Sequence, residues 1–158
     1  MSSLVLGPPT VAGFLQFIRG NMGINSTVLP DNAPVIDVAF GIALDIANDQ
    51  LNVKPNVYTL AVYNLAVDNL VNYAPDVQPP VIYKDDLPYF AYLRQEMNIT
   101  GFVSGVIQSA SDESTSSSLV VPEQLKMLTL ANLQNTKTPW GRTYLGFAQA
   151  AGTLWGLS

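Results

Sequence analysis

Two consecutive segments of the chain are strongly apolar except at positions that recur every fourth residue. In the segment around residues 32–48, these positions hold Asp37, Gly41, Asp45 and Asp49. In residues 56–73 they hold Asn64, Asp68 and Asn72. A spacing of four places side chains on one face of an α-helix. The pattern predicts two helices with a narrow wet edge, buried on their other sides. Such helices lie either at the centre of a fold or between subunits.

Apolar spacing and end signals predict further helices. Thr10 suits the N-cap of a helix that runs to about Met22, and a short helix covers residues 87–97. The acidic pair Asp85-Asp86 is interpreted as the cap of this short helix, because negative charge is favourable at a helix N-terminus. A metal or acid–base role for the pair is the less favoured interpretation.

The last quarter of the chain, residues 122–158, contains two helical segments separated by a polar break at residues 135–138. Thr138 and Pro139 suit the N-cap and the first position of the second segment. Its apolar face continues towards an apolar C-terminal sequence, which we expect to pack on the body of the protein or on a partner.

Residues 101–121 have a different composition. Residues 102–107 and 118–121 have strand propensity, and the polar, serine-rich stretch 108–117 between them contains Asp112 and Glu113. This pattern predicts a β-hairpin with a long acidic tip, which could act as a protein-contacting finger.

The predicted fold is mainly α, a bundle of about five to six helices with a small β-hairpin insertion near residues 101–121. The chain is long enough for one domain with its own core. We expect a single domain over residues 1–158, with a helical body at 10–100, the hairpin and acidic loop at 101–121, and C-terminal helices and tail at 122–158.

The sequence contains no cysteine and no histidine. Disulfides, thiolate nucleophiles, Cys/His zinc sites and Ser-His-Asp triads are therefore excluded. The side chain most often used for acid–base chemistry near neutral pH is also missing. No pair of carboxylates is specified as a catalytic pair by the sequence. We expect a protein that is not an enzyme and has no cofactor or metal.

Charged residues make up only 12% of the chain, with 7 basic and 12 acidic side chains and a net charge of −5. About 25% is usual for soluble proteins. The deficit suggests a surface partly covered by other subunits, although a monomer surfaced with uncharged polar residues is the alternative. Few basic residues make direct nucleic-acid binding unfavourable. The N-terminus does not resemble a signal peptide and no stretch is long enough to span a membrane, so we expect a soluble protein made in the cytoplasm.

The run Thr-Pro-Trp-Gly-Arg-Thr-Tyr-Leu at residues 138–145 resembles a stretch near the C-terminus of head-to-tail connector (adaptor) proteins of tailed bacteriophages. Residues 108–113 with 119–122 are similar to the loop-and-strand insert that precedes it in those proteins. The resemblance covers the last third of the chain, whereas the N-terminal helices agree only as a pattern.

This resemblance implies a structural virion protein at the head-tail junction. It implies a homomeric ring, usually twelvefold, between the portal protein and the next tail component. DNA would pass through the lumen without specific binding, and an acidic wall suits that role because it repels phosphate. The C-terminal segment would contact the portal.

Seven residues are candidates for protein contacts. They are Trp140, Arg142, Tyr144, Leu154, Trp155, Asp112 and Glu113. Trp, Tyr and Arg are enriched at interface hot spots. Alternatively, Arg142 pairs with an internal carboxylate and Trp140 belongs to the core. The alternative function is a small helical protein-binding module or regulator that docks through its Trp/Tyr-rich C-terminal segment.

Overall fold

A computed structural model of the chain describes residues 7–47, 54–99, 110–112, 115–117 and 135–150. The described part is mainly helical. Its helices are α1 (Val11–Asn21), α2 (Pro34–Ile46), α3 (Pro55–Tyr73), α4 (Tyr89–Glu96) and α5 (Pro139–Ala150). Its strands form two antiparallel pairs, β1 (Ile82–Lys84) with β2 (Leu87–Pro88), and β3 (Ala110–Asp112) with β4 (Thr115–Ser117). The prediction of a mainly helical fold with a small β-hairpin is confirmed.

Helix α3 lies at the centre of the fold, packed against α2 and α5. The predicted wet edge of α3 is wrong, because Asn64 and Asp68 are both buried. Two of the four-spaced polar side chains satisfy their hydrogen bonds within the helix. Asn64 Nδ2 donates to the Leu60 carbonyl at 2.7 Å, and Asn72 Nδ2 donates to the Asp68 carbonyl at 2.8 Å. Hydrogen-bonded polar groups can be buried at low cost, and this allows α3 to be surrounded by other elements.

Helix α1 is fixed to the body by aromatic side chains. The Phe14 ring stacks on Phe40 of α2 at 5.7 Å between centroids and lies 5.8 Å from the Tyr63 ring of α3. The Thr10 hydroxyl accepts a hydrogen bond from the Gly13 amide at 3.1 Å. The helix start predicted from the sequence is therefore confirmed, and the apolar face of α1 is buried at the junction of three helices.

Two arginines hold irregular backbone in place through main-chain carbonyls. Arg19 donates to the carbonyls of Ile24 at 2.8 Å and Leu29 at 2.6 Å, and its Nη2 also pairs with the Asp31 carboxylate. Arg94 binds the C-terminal end of α3 in the same way. A guanidinium has several donors in a fixed plane and can therefore satisfy two carbonyls at once.

Asp85 and Asp86 form the turn between β1 and β2, with φ angles of 51° and 58°. Two consecutive positive φ angles are typical of the tight hairpin turn that favours Asp, Asn and Gly. The prediction that this pair caps α4 is therefore wrong. The cap comes from Asp76, whose two carboxylate oxygens accept from the Phe90 amide at 2.8 Å and the Ala91 amide at 3.2 Å.

Replacing Asp76 by alanine is expected to lower the free energy of unfolding by about 1 kcal/mol, because two amides at the start of α4 lose their acceptors. Urea unfolding followed by circular dichroism measures the loss. The matched control is Asp86→Asn, which keeps a residue that tolerates positive φ and should change stability little. A larger loss for Asp86→Asn than for Asp76→Ala would contradict this assignment of the cap.

The strands β3 and β4 lie within the serine-rich stretch that the sequence predicts as the tip of the finger. Ala110 faces Ser117, and Asp112 faces Thr115. Backbone hydrogen bonds suffice for an antiparallel strand pair, so apolar side chains are not required for this pairing. The strands predicted at 102–107 and 118–121 lie outside the described residues.

Candidate protein-interaction surfaces

The beginning of α5 is built around a buried threonine. The Thr138 hydroxyl accepts a hydrogen bond from the Gly141 amide at 2.9 Å and donates to Oδ1 of Asp68 on α3. The cap predicted for Thr138 is thus confirmed, with Pro139 as the first residue of the helix. One hydroxyl group therefore both starts α5 and links it to the central helix.

Gly141 lies where the backbone of α5 comes closest to its neighbours. A Cβ added there would be 2.1 Å from the carbonyl oxygen of Asn135 and 2.8 Å from Oδ1 of Asp68. The nearer contact is with backbone, so a side chain could be accommodated only by moving α5 or the residues before it. The Thr-Pro-Trp-Gly sequence thus has a structural role, because it closes the junction between α3 and α5.

The Asp68 carboxyl is almost fully buried in this junction. Burial raises its pKa from 3.8 to about 6, while the Thr138 hydrogen bond, the positive charge of Lys137 and Asn72 act in the opposite direction. Loss of water around a carboxylate disfavours the charged form, and here this effect is the largest. The carboxyl is therefore protonated in the folded protein at mildly acid pH.

Three of the predicted interface residues lie on α5, and only two of them are accessible. Tyr144 is buried in the core, and burial raises its pKa to about 12. Trp140 is half-buried against the core, while Arg142 is exposed and donates to the Thr136 carbonyl at 2.9 Å. Arg142 thus binds a backbone carbonyl of the preceding turn, whereas the alternative interpretation expected an internal carboxylate.

Of the other four candidates, one lies in the described part of the chain. Asp112 is the last residue of β3. Glu113, Leu154 and Trp155 lie outside the described residues. Among the predicted interface residues on α5, Trp140 and Arg142 are therefore the accessible ones.

Helix α2 carries an exposed apolar surface in the single chain. Val38, Ile42 and Ile46 are 58%, 41% and 54% exposed, and we call these three residues the α2 ridge. They are spaced by four, so they form a continuous line along one face. The prediction that α2 is buried on most sides is wrong in the single chain, because α3 and α1 cover only the opposite face.

A second exposed apolar surface lies at β1. Val81, Ile82 and Tyr83, which we call the β1 patch, are 44%, 57% and 55% exposed. Tyr83 is held by an edge-to-face contact with Tyr89 at 4.9 Å between ring centroids. The sequence analysis predicted no strand at these residues, although the run Val-Ile-Tyr shortly before an acidic pair was a usable strand signal.

Lys84 follows the β1 patch directly and keeps its positive charge. Its Nζ donates to the Tyr92 hydroxyl at 2.9 Å, and this hydrogen bond is the main cause of a raised pKa. Neighbouring Asp85 and Glu96 act in the same direction. Residues 81–84 therefore present three exposed apolar side chains followed by a cation.

Within the residues that the structure describes, no group of three or more acidic side chains is arranged to hold a metal ion. The same part of the chain contains no helix long and apolar enough to cross a membrane. The described surface offers contact area at the α2 ridge, the β1 patch and the start of α5.

Comparison with protein-family models, curated proteins and solved structures gave no match.

Proposed function

We propose that the chain is a structural subunit of a multi-copy assembly, a head-to-tail adaptor that forms a ring between the portal and the tail of a bacteriophage virion. The observation that carries the proposal is the presence of two separate exposed apolar surfaces, the α2 ridge and the β1 patch, on a chain with only 12% charged residues. Single exposed apolar residues are ordinary, whereas contiguous groups of them mark interaction sites.

The α2 ridge supports assembly rather than binding of a small ligand. Its three side chains extend over nine residues of helix, a rise of about 12 Å at 1.5 Å per residue. A convex line of aliphatic groups fits against another protein surface, whereas a small molecule would need a concave pocket. A ring subunit makes such contacts on two sides, so two apolar surfaces on one chain agree with this role.

The sequence from Thr138 to Leu145 supports the adaptor assignment through its resemblance to connector proteins, and the structure explains its residues physically. Thr138 caps α5, Gly141 permits close approach to α3, and Tyr144 fills the core. Residues of these types at these positions would preserve the fold of a connector. Contact with the portal is then made by accessible residues such as Trp140 and Arg142.

The distribution of charge suits a wall along which DNA passes. Three of the seven basic residues, Arg19, Arg94 and Arg142, donate to backbone carbonyls of their own chain. Asp37, Asp45, Asp85 and Asp86 are exposed. A surface with more free carboxylates than free cations repels the phosphate backbone and does not hold it.

The test is native mass spectrometry of the purified chain, alone and with the portal protein of the same virus. We expect a multi-copy complex, and we expect Ile42→Lys to abolish it because a charge would be buried in the contact. The matched control is Gln16→Lys, which places the same charge on the exposed face of α1. A chain that stays monomeric with and without the portal would contradict the proposal.

A second candidate is the small helical binding module. The exposed Arg142 beside the half-buried Trp140 favours it, since these residue types form hot spots on small docking surfaces. Such a module would form one-to-one complexes that depend on Arg142 and are insensitive to Ile42→Lys. The same mass spectra therefore separate the two functions by stoichiometry and by the variant that disrupts binding.

A further inference from the structure

We infer that the α2 ridge of one copy docks on the β1 patch of the next copy, and that this contact closes the ring. The inference rests on the proposed function and names the subunit contact that it requires. Of the large apolar side chains exposed in the described part of the chain, six belong to these two surfaces. Each surface is therefore covered by the other surface of a neighbouring copy.

The two surfaces differ from each other, and this favours a head-to-tail arrangement. A two-fold dimer uses the same patch on both subunits. A contact between two different patches instead leaves one patch of each kind free on every pair of subunits. Further copies then add at both ends until the rotation closes into a ring. A chain with one helical ridge and one strand patch has the two unlike surfaces that this arrangement needs.

The charges beside the two surfaces are complementary. Asp37 and Asp45 are exposed next to the α2 ridge, whereas Lys84 follows the β1 patch. Lys84 lies in the same strand as the exposed side chains of Ile82 and Tyr83. Arg19 and Arg94 are engaged internally, and Lys137 lies beside the buried Asp68. A carboxylate at the rim of one surface can therefore meet an ammonium at the rim of the other.

The dimensions of the two surfaces also agree. The α2 ridge is about 12 Å long at 1.5 Å per residue. Residues 81–84 in extended conformation cover about 10 Å at 3.3 Å per residue. The ridge is therefore long enough to lie along residues 81–84, with the charged groups left at the edge.

Disulfide cross-linking tests the contact directly, because the natural sequence has no cysteine. Ile42→Cys and Ile82→Cys are prepared as separate variants, mixed under the conditions that give the multi-copy complex, and oxidised with copper phenanthroline. We expect a cross-linked pair that contains one copy of each variant. Each variant alone should give little product, and the mixture of Gln16→Cys with Ile82→Cys is the matched control.

Charge reversal gives a second, independent readout. Lys84→Glu should weaken assembly at least tenfold, and adding Asp45→Lys to the same chain should restore it. A ring that forms without linking positions 42 and 82, or that ignores Lys84→Glu, would overturn this inference and leave the proposed function intact. Efficient linking of Ile42→Cys to itself would overturn it in favour of a two-fold contact. Absence of any assembly would overturn both proposals.

Discussion

Replacing Gly141 by alanine is expected to destabilise the protein by about 3 kcal/mol, at the upper end of the cost of overpacking a core. The new methyl group would lie 2.1 Å from the Asn135 carbonyl oxygen, far inside van der Waals contact. Backbone cannot move aside as the end of a side chain can, so α5 must shift away from α3. Denaturant unfolding, followed by the fluorescence of Trp140 at the start of α5 and by circular dichroism, measures the loss.

Gly146 on the same helix is the control, because a Cβ added there meets nothing within 4 Å. Glycine in an exposed helix is less favourable than alanine, so Gly146→Ala should stabilise the protein by about 0.5–1 kcal/mol. The two variants share the same change in helix propensity and differ in the space available. If Gly141→Ala stabilised the protein as Gly146→Ala does, the close approach of α5 to Asn135 and Asp68 would be refuted.

The free energy of unfolding is expected to decrease as the pH rises through about 6, because the Asp68 carboxyl is buried. Because burial raises the pKa of this carboxyl from 3.8 to about 6, the folded protein binds its proton more tightly than the unfolded chain. The contribution is complete below about pH 4 and is lost above the folded-state pKa. Over the whole range it is on the order of 3 kcal/mol, of which about 1 kcal/mol falls between pH 5 and pH 8.

The difference between the natural chain and Asp68→Asn isolates this contribution, since the surface carboxylates titrate alike in both. Asparagine keeps an oxygen that can accept from Thr138 and has no charge to bury. Chemical unfolding of both proteins at pH 5, 6.5 and 8 should show the natural chain losing stability relative to the variant. Parallel pH profiles would mean that Asp68 titrates normally and that the junction is open to water.

The sequence was sufficient to predict the helical segments and where two of them begin. Thr10 and Thr138 followed by a suitable apolar face are local signals, and each cap forms within three residues of its threonine. Local patterns do not reveal what lies across an interface. Among the polar positions of α3, Asp68 is bound by Thr138 from 70 residues away, and no spacing within α3 encodes that contact.

The candidate surfaces were predicted less well than the fold. Tyr144 was selected for its residue type, yet its ring fills the core, and residue type alone does not distinguish a hot spot from a buried anchor. The α2 ridge was missed for the opposite reason. Val38, Ile42 and Ile46 are as apolar as the residues on the buried face, so only the position of α3 reveals which side remains uncovered.

Arg19 holds the loop after α1, and Arg94 holds the C-terminal end of α3, by donating to carbonyl groups that every residue possesses. Both segments can therefore exchange almost all of their side chains over evolutionary time without losing this anchor. Only the two arginines must persist, because lysine lacks the planar fork. Homologous chains are then expected to drift apart in sequence fastest where their backbones remain most alike.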